Sequence, residues 1–200
     1  MRTSLDTIYA DGFWSKLRDI FWVKNDSSQY LPIVFSRNTV KNRYGILYSH
    51  INTRTNIASI FPVVFLCKDR DDDAIKATIR HEVIHYLLAI HYQCHNDSSA
   101  LFWLICDLFD GQAYVPLDPK SDLIYKTARV YLAEVYKLYT ESKCMSVALN
   151  ISLMLAAIDE AENNDFPDIE QLKTSLVICL DAAKQKVGSA QRKSLPNDDQ

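Results

Sequence analysis

Two histidines, His81 and His85, stand four positions apart in the sequence His-Glu-Val-Ile-His, with Glu82 directly after the first. Residues four apart in an α-helix share one face, so both imidazoles can point at one metal ion. Zinc accepts imidazole nitrogen as a ligand, and a catalytic zinc site keeps one position open for water. Glu82 lies about 100° around the helix from His81, where its carboxylate can take a proton from that water. The spacing therefore predicts two metal ligands and a general base.

A hydrolytic zinc site needs a third protein ligand, and several side chains after His85 could supply it. His91 follows six residues later, as in the metzincin signature, but Leu88 stands where that signature has its helix-breaking glycine. On an unbroken helix His91 points away from His85, so we interpret it as a packing or surface residue. The sequence leaves open four other candidates: His95, Asp97, Asp107 and Asp110.

The histidine motif lies in a segment that is predicted to be helical from about Asp73 to His95, with carboxylates at its start that complement the positive end of the helix dipole. Short β-branched segments precede this helix, and two further segments have apolar residues at helical spacing. The predicted strands are Leu31–Ser36, Arg43–Ile51 and Asn56–Leu66, and the two further helices are Leu5–Val23 and Ala100–Phe109. Gly45 inside the second strand predicts a bulge or a close approach of another group to the backbone.

The last third of the chain has a helical pattern from Leu123 to about Val187, with one break at Asn163–Asp168. The order of elements predicts the α+β class, in which a small antiparallel sheet packs on the helix that carries the two histidines. We expect a sheet-containing domain at 1–118, a helical region at 119–188 that packs on it, and a flexible tail at 189–200.

Composition and charge exclude several classes of function. The chain of 200 residues holds 22 Lys and Arg against 25 Asp and Glu, so its net charge of −3 disfavours binding of nucleic acid through the overall field. Nucleic acid stays an open alternative only through a local basic patch such as Arg37–Arg43, which we interpret as a solvated loop edge. Five cysteines form no Cys-x-x-Cys pair, and no window is apolar enough for a membrane span. We therefore expect a cytoplasmic protein without membrane contact.

The stretch from about Leu31 to Gly111 resembles the SprT-like (Spartan-type) zinc metalloproteases. The matching segments are LPIVFS, RYGILYS, NIASIF, HEVIH and the six residues Ser98 to Trp103. The resemblance implies a zincin fold with His81 and His85 as zinc ligands and Glu82 as the base. It also implies a C-terminal zinc ribbon, for which this sequence has no Cys-x-x-Cys counterpart.

The third ligand is where this chain departs from the family. Ser98 and Ser99 stand where the family has its third ligand histidine and the glycine after it. A neutral hydroxyl is a poor zinc ligand, whereas a carboxylate is an accepted one. We therefore expect the adjacent Asp97 to complete the site, and the alternatives are Asp110, His95 or no third protein ligand.

These features predict a zinc-dependent metallopeptidase that cleaves a protein or peptide substrate with Glu82 as general base. Two alternatives stay open: a zincin-fold binding module with weak or no catalysis, and a regulatory protease similar to the ImmA/IrrE-like family. Tyr114 could donate a hydrogen bond to a developing oxyanion, but we interpret it as an ordinary packing residue because the chain holds 11 tyrosines. The oligomeric state is not predicted.

Overall fold

The computed structural model describes residues 12–21, 33–37, 43–52, 57–66, 70–92, 94 and 96–193. The chain divides into two compact units. The first comprises Met1–Ser98 and Ile105–Pro116, and the second comprises Ser99–Leu104 and Leu117–Gln200. The class is α+β, as predicted, with a small sheet and six helices in the described part of the chain. None of the helices in that part combines enough length with enough apolar character to cross a lipid bilayer.

The first unit contains helix α1 (Phe13–Phe21), strands β1 (Val34–Ser36), β2 (Gly45–Asn52) and β3 (Ile57–Phe65), and helix α2 (Asp72–Tyr92). It also holds the second half of helix α3 (Ala100–Leu108). Strands β2 and β3 pack on α2, which carries the histidine motif. Helix α2 ends three residues before the predicted end at His95, which lies outside the described residues, as do Leu5–Asp11 of the first predicted helix.

The sheet is mixed, which corrects the prediction of an antiparallel sheet. Its strand order is β1-β3-β2. Strand β2 runs antiparallel to β3, from the pair Gly45 and Val64 to the pair Asn52 and Ile57. Strand β1 runs parallel to β3, with Val34 opposite Val63. Strands β1 and β3 run the same way because β2, which lies between them in the sequence, runs the opposite way to both. They form a parallel pair because β3 lies between β1 and β2 in the sheet.

The core of the first unit forms where α1, β3, α2 and the end of α3 bury their apolar residues. The aromatic rings of Phe13 and Phe109 meet edge to face with centroids 6.1 Å apart. Helix α2 buries residues on most of its circumference, including both histidines and Glu82. The buried apolar residues that surround the motif are Ile79, Val83, Ile84, Leu87 and Leu88. This burial holds α2 in one orientation and thereby fixes the direction of its polar side chains.

The second unit is built from three long helices, α4 (Pro119–Ser142), α5 (Met145–Asn163) and α6 (Ile169–Lys193), which pack on one another. Each helix buries apolar residues three or four positions apart, as an amphipathic helix does. Those of α4 are Ile124, Ala128, Leu132, Val135 and Tyr139, and those of α6 are Leu172, Leu176, Leu180 and Ala183. Helix α6 continues to Lys193, beyond the predicted end near Val187.

A break at Lys143 and Cys144, between α4 and α5, was not predicted from the sequence. Lys143 adopts a left-handed conformation with φ 53° and ψ 24°, and its N–H donates to Tyr139 O. Helices often end with a residue of this conformation, but glycine usually occupies it. Helix α4 also begins before the predicted start at Leu123, because Asp118 caps the helix and Pro119 is its first residue.

Glu162 caps the N-terminus of α3 within the second unit. Its two carboxylate oxygens accept hydrogen bonds from the N–H groups of Ala100 at 2.6 Å and Leu101 at 3.0 Å. The buried Ser99 hydroxyl adds a third contact by accepting from the N–H of Phe102. These bonds satisfy backbone donors that have no partner within the helix.

Candidate metal centre

The two histidines of the motif lie side by side on the inner face of α2. The ring centroids of His81 and His85 are 4.7 Å apart, and the rings are inclined at 76°. Both side chains are buried, with 8% and 6% of their residue surface exposed. A spacing of four residues places them one turn apart on the same face, as the sequence predicted.

Asp97 reaches the histidine pair from the turn that follows α2. Asn96 Oδ1 accepts hydrogen bonds from the backbone N–H and the hydroxyl of Ser98, at 3.0 and 2.8 Å, and these bonds define the turn. Asp97 Oδ1 is hydrogen-bonded to His85 Nε2 and lies 3.6 Å from His81 Nε2. The donor atoms of His81, His85 and Asp97 all lie within 4.8 Å of one another. They are the residues that the sequence analysis proposed as a ligand set.

A main-chain carbonyl orients the His81 ring. His81 Nδ1 lies 2.6 Å from Gln112 O, which can only accept a hydrogen bond. The proton of a neutral imidazole therefore sits on Nδ1, and Nε2 presents a lone pair towards Asp97. Metal-binding histidines in proteins are oriented in the same way by a partner on their second nitrogen.

The pKa shifts of His81 and Asp97 suit a metal ion. Burial lowers the pKa of His81, and the neighbouring His85 lowers it further. The hydrogen bond from His85 lowers the pKa of Asp97. A neutral imidazole and an ionised carboxylate are the forms that bind metals. Two imidazole nitrogens with one carboxylate oxygen form a donor set that zinc accepts.

Glu82 is buried against the backbone of strand β2. Only 5% of the residue is exposed. A Cβ at position 45 would lie 2.6 Å from Glu82 Cγ and closer still to Oε1, so the Glu82 carboxylate occupies the space that Gly45 leaves free. Burial raises the pKa of Glu82 to about 8, and the Asp97 carboxylate contributes to the rise. A carboxyl group with such a pKa can take up and release a proton near neutral pH.

We expect Gly45→Ala to destabilise the chain and to displace Glu82. The added Cβ overlaps the Glu82 side chain, and overpacking of this kind costs about 1–3 kcal/mol. Urea denaturation measures this loss. Gly188→Ala is the matched control, because no atom lies within 4 Å of a Cβ there and alanine favours the helix. If both variants unfold at the same urea concentration, the close contact between Gly45 and Glu82 does not exist.

Tyr114 lies at the surface of the cleft, which corrects its interpretation as a packing tyrosine. The residue is 60% exposed. Its ring lies 5.4 Å from that of His81, and its hydroxyl donates a hydrogen bond to Gln112 Oε1 at 2.5 Å. The residues around the histidine pair line an open cleft of about 1010 Å³ in the first unit.

The other candidate ligands lie elsewhere in the described structure or outside it. The Asp110 side chain is 91% exposed and lies 3.9 Å from Arg80. His91 is exposed on α2 with its ring 5.5 Å from that of Phe21, which agrees with its interpretation as a packing or surface residue. Asp107 is exposed as well. His95 lies outside the described residues.

Sequence reasoning missed two residues of this site: Gln112, which bonds to His81, and Arg70, which lines the cleft. Gln112 contributes through its backbone carbonyl, which has no sequence signature. Arg70 lines the cleft together with Arg43, which the sequence analysis had assigned to a loop edge. The one sequence feature that could have indicated Arg70 is its position directly before the acidic start of α2.

Comparisons with protein-family models, with curated proteins and with solved structures found no match to this chain. The interpretation of the cleft therefore depends on the geometry of its own side chains.

Proposed function

We propose that this chain is a zinc-dependent metallopeptidase in which His81, His85 and Asp97 hold the metal ion and Glu82 acts as general base. The observation that carries the proposal is the convergence of three ligand atoms within 4.8 Å, next to a buried glutamate. The resemblance of the motif region to SprT-like metalloproteases supports the same reading. An open cleft beside these residues leaves room for a peptide.

The chemistry of the donor set supports zinc, because His81 and His85 offer imidazole nitrogens and Asp97 offers a carboxylate oxygen. A bound ion would replace the proton that His85 Nε2 and Asp97 Oδ1 share in their hydrogen bond. Zinc held there would supply Lewis-acid polarisation of a substrate carbonyl and would lower the pKa of a water molecule.

The side chain of Glu82 would carry out the proton transfers. Glu82 would take the proton of the attacking water and pass it to the leaving amine. Its carboxylate must be ionised for the first step, and a positive metal ion held nearby would favour that form. Gly45 lets the carboxylate lie against β2, so its position is fixed by packing. The exposed Tyr114 ring covers His81 on the open side of the cleft.

Metal content and metal removal test this proposal. We expect the purified chain to hold one zinc ion by elemental analysis and to cleave an unfolded protein such as casein. Treatment with 1,10-phenanthroline should abolish cleavage, and added zinc should restore it. His85→Ala should lose the zinc, whereas the matched control His91→Ala should keep it, because His91 lies exposed on the same helix.

Two outcomes would contradict the proposal in different ways. A chain that binds no zinc at micromolar concentration has no metal centre here. A chain that holds zinc through His85 but cleaves no protein would be a binding module that uses the same fold.

A further inference from the structure

Two arginines, Arg43 and Arg70, line the cleft that contains the candidate metal centre. The carboxylates in that lining, Glu82 and Asp97, belong to the centre itself. Within the described ranges, no carboxylate forms an ion pair with either arginine. Among the described residues, the charge of these two arginines is therefore not neutralised by an ion pair.

The structure holds Arg70 in place before any ligand arrives. Its Nη1 donates to Thr78 Oγ1 at 2.6 Å and its Nη2 donates to Ala74 O at 2.5 Å, both on the first turns of α2. The guanidinium also lies over the Tyr44 ring, 4.2 Å from the centroid. These two hydrogen bonds use two of five N–H donors, so three remain. A guanidinium that is already ordered loses little entropy when it binds a carboxylate.

This positive group lies next to the proposed reaction centre. Tyr44, under Arg70, directly precedes Gly45, against which Glu82 packs. Tyr114, whose ring lies beside that of His81, lines the same cleft as Arg70. A substrate group bound at Arg70 would therefore lie within the same cleft as the bond to be cleaved.

We infer that Arg43 and Arg70 form a cationic subsite that binds a carboxylate of the peptide substrate beside the scissile bond. This inference rests on the proposed peptidase function and names its substrate class: peptides with an acidic side chain, or with a free C-terminal carboxylate, near the cleavage site. Peptide is favoured over nucleic acid because the net charge of the chain is −3, which disfavours binding of a long run of phosphates.

Three matched fluorescent peptides test the subsite and distinguish the two sources of the carboxylate. One carries glutamate with an amidated C-terminus, one carries glutamine with an amidated C-terminus, and one carries glutamine with a free C-terminus. We measure kcat/KM with the zinc-loaded chain and Kd by anisotropy with the zinc-loaded Glu82→Gln variant. We expect at least one carboxylate peptide to bind about 10-fold more tightly than the neutral amide.

Arginine variants assign that preference to the subsite. Arg43→Gln and Arg70→Gln should each remove most of it, while Arg129→Gln should keep it. Arg129 is the matched control because its guanidinium also lies over a tyrosine, Tyr125, but outside the cleft. Arg43 is exposed, so its variant decides the question even if loss of the Arg70 hydrogen bonds unfolds the chain.

The outcomes separate the subsite from the peptidase. Equal Kd values for all three peptides, or a preference that survives both arginine variants, would overturn the subsite while cleavage upholds the proposed function. Carboxylate preference that depends on the arginines, in a chain that cleaves nothing, would uphold the subsite and overturn the peptidase. Salt-sensitive retention of DNA through Arg43 and Arg70, without preference among the peptides, would also overturn the inference.

Discussion

Glu82→Gln is expected to lower kcat/KM for peptide hydrolysis on the order of 10³-fold without changing the zinc content of the chain. Glutamine has the shape of glutamate, so it fits the space beside Gly45. Its amide cannot take a proton from water at neutral pH, which removes the base. Glu82 is not a member of the cluster formed by His81, His85 and Asp97, so the metal should remain.

Initial rates on a fluorogenic peptide and elemental analysis of the same sample provide the measurement. The variant should also unfold at a urea concentration no lower than the parent, because a neutral amide replaces a carboxyl whose ionisation burial disfavours. Hydrolysis by the variant at the parental rate would show that another group, or none, acts as the base.

Asp97→Ala should weaken zinc binding by more than ~100-fold, the upper range found when groups that only support a metal ligand are removed. Asp97 Oδ1 faces both histidines, so its loss leaves two imidazoles as protein ligands. Competition between the chain and a chromogenic zinc chelator measures this change. Peptidase activity should fall with it, and high zinc concentrations should restore only part of it.

Asp110→Ala is the matched control for Asp97. Both residues are aspartates of the first unit, but Asp110 faces solvent and Arg80. Zinc affinity should therefore be unchanged in this variant. If Asp97→Ala binds zinc as tightly as Asp110→Ala does, the third ligand is not Asp97.

The sequence was most informative where one short segment determines the geometry. The spacing of His81 and His85 on a helix needs only helical periodicity, and the structure places both rings on one face. Gly45 in a strand predicted either a bulge or a close approach, and the Glu82 side chain is what approaches. The α+β class follows from the order of the segments.

Features that depend on contacts between residues far apart in the sequence could not be predicted. Strands β2 and β3 form a hairpin, and β1 could pair with either of them. The pattern of residues within the strands does not decide between these two pairings, so the parallel pair could not be predicted. Glu162 caps α3 from 62 residues away. The contact between Arg70 and Tyr44 likewise joins two segments that have no common sequence motif.

Gln112 contacts the site through two different groups: its backbone carbonyl bonds to His81 and its side chain bonds to Tyr114. Every amino acid carries a backbone carbonyl, so any residue at position 112 can keep the imidazole in its tautomer. The Gln112 side chain instead accepts from the Tyr114 hydroxyl. Substitution at this one position can therefore alter the mouth of the cleft and leave the ligand geometry intact, which makes it a suitable place to vary substrate preference by mutagenesis.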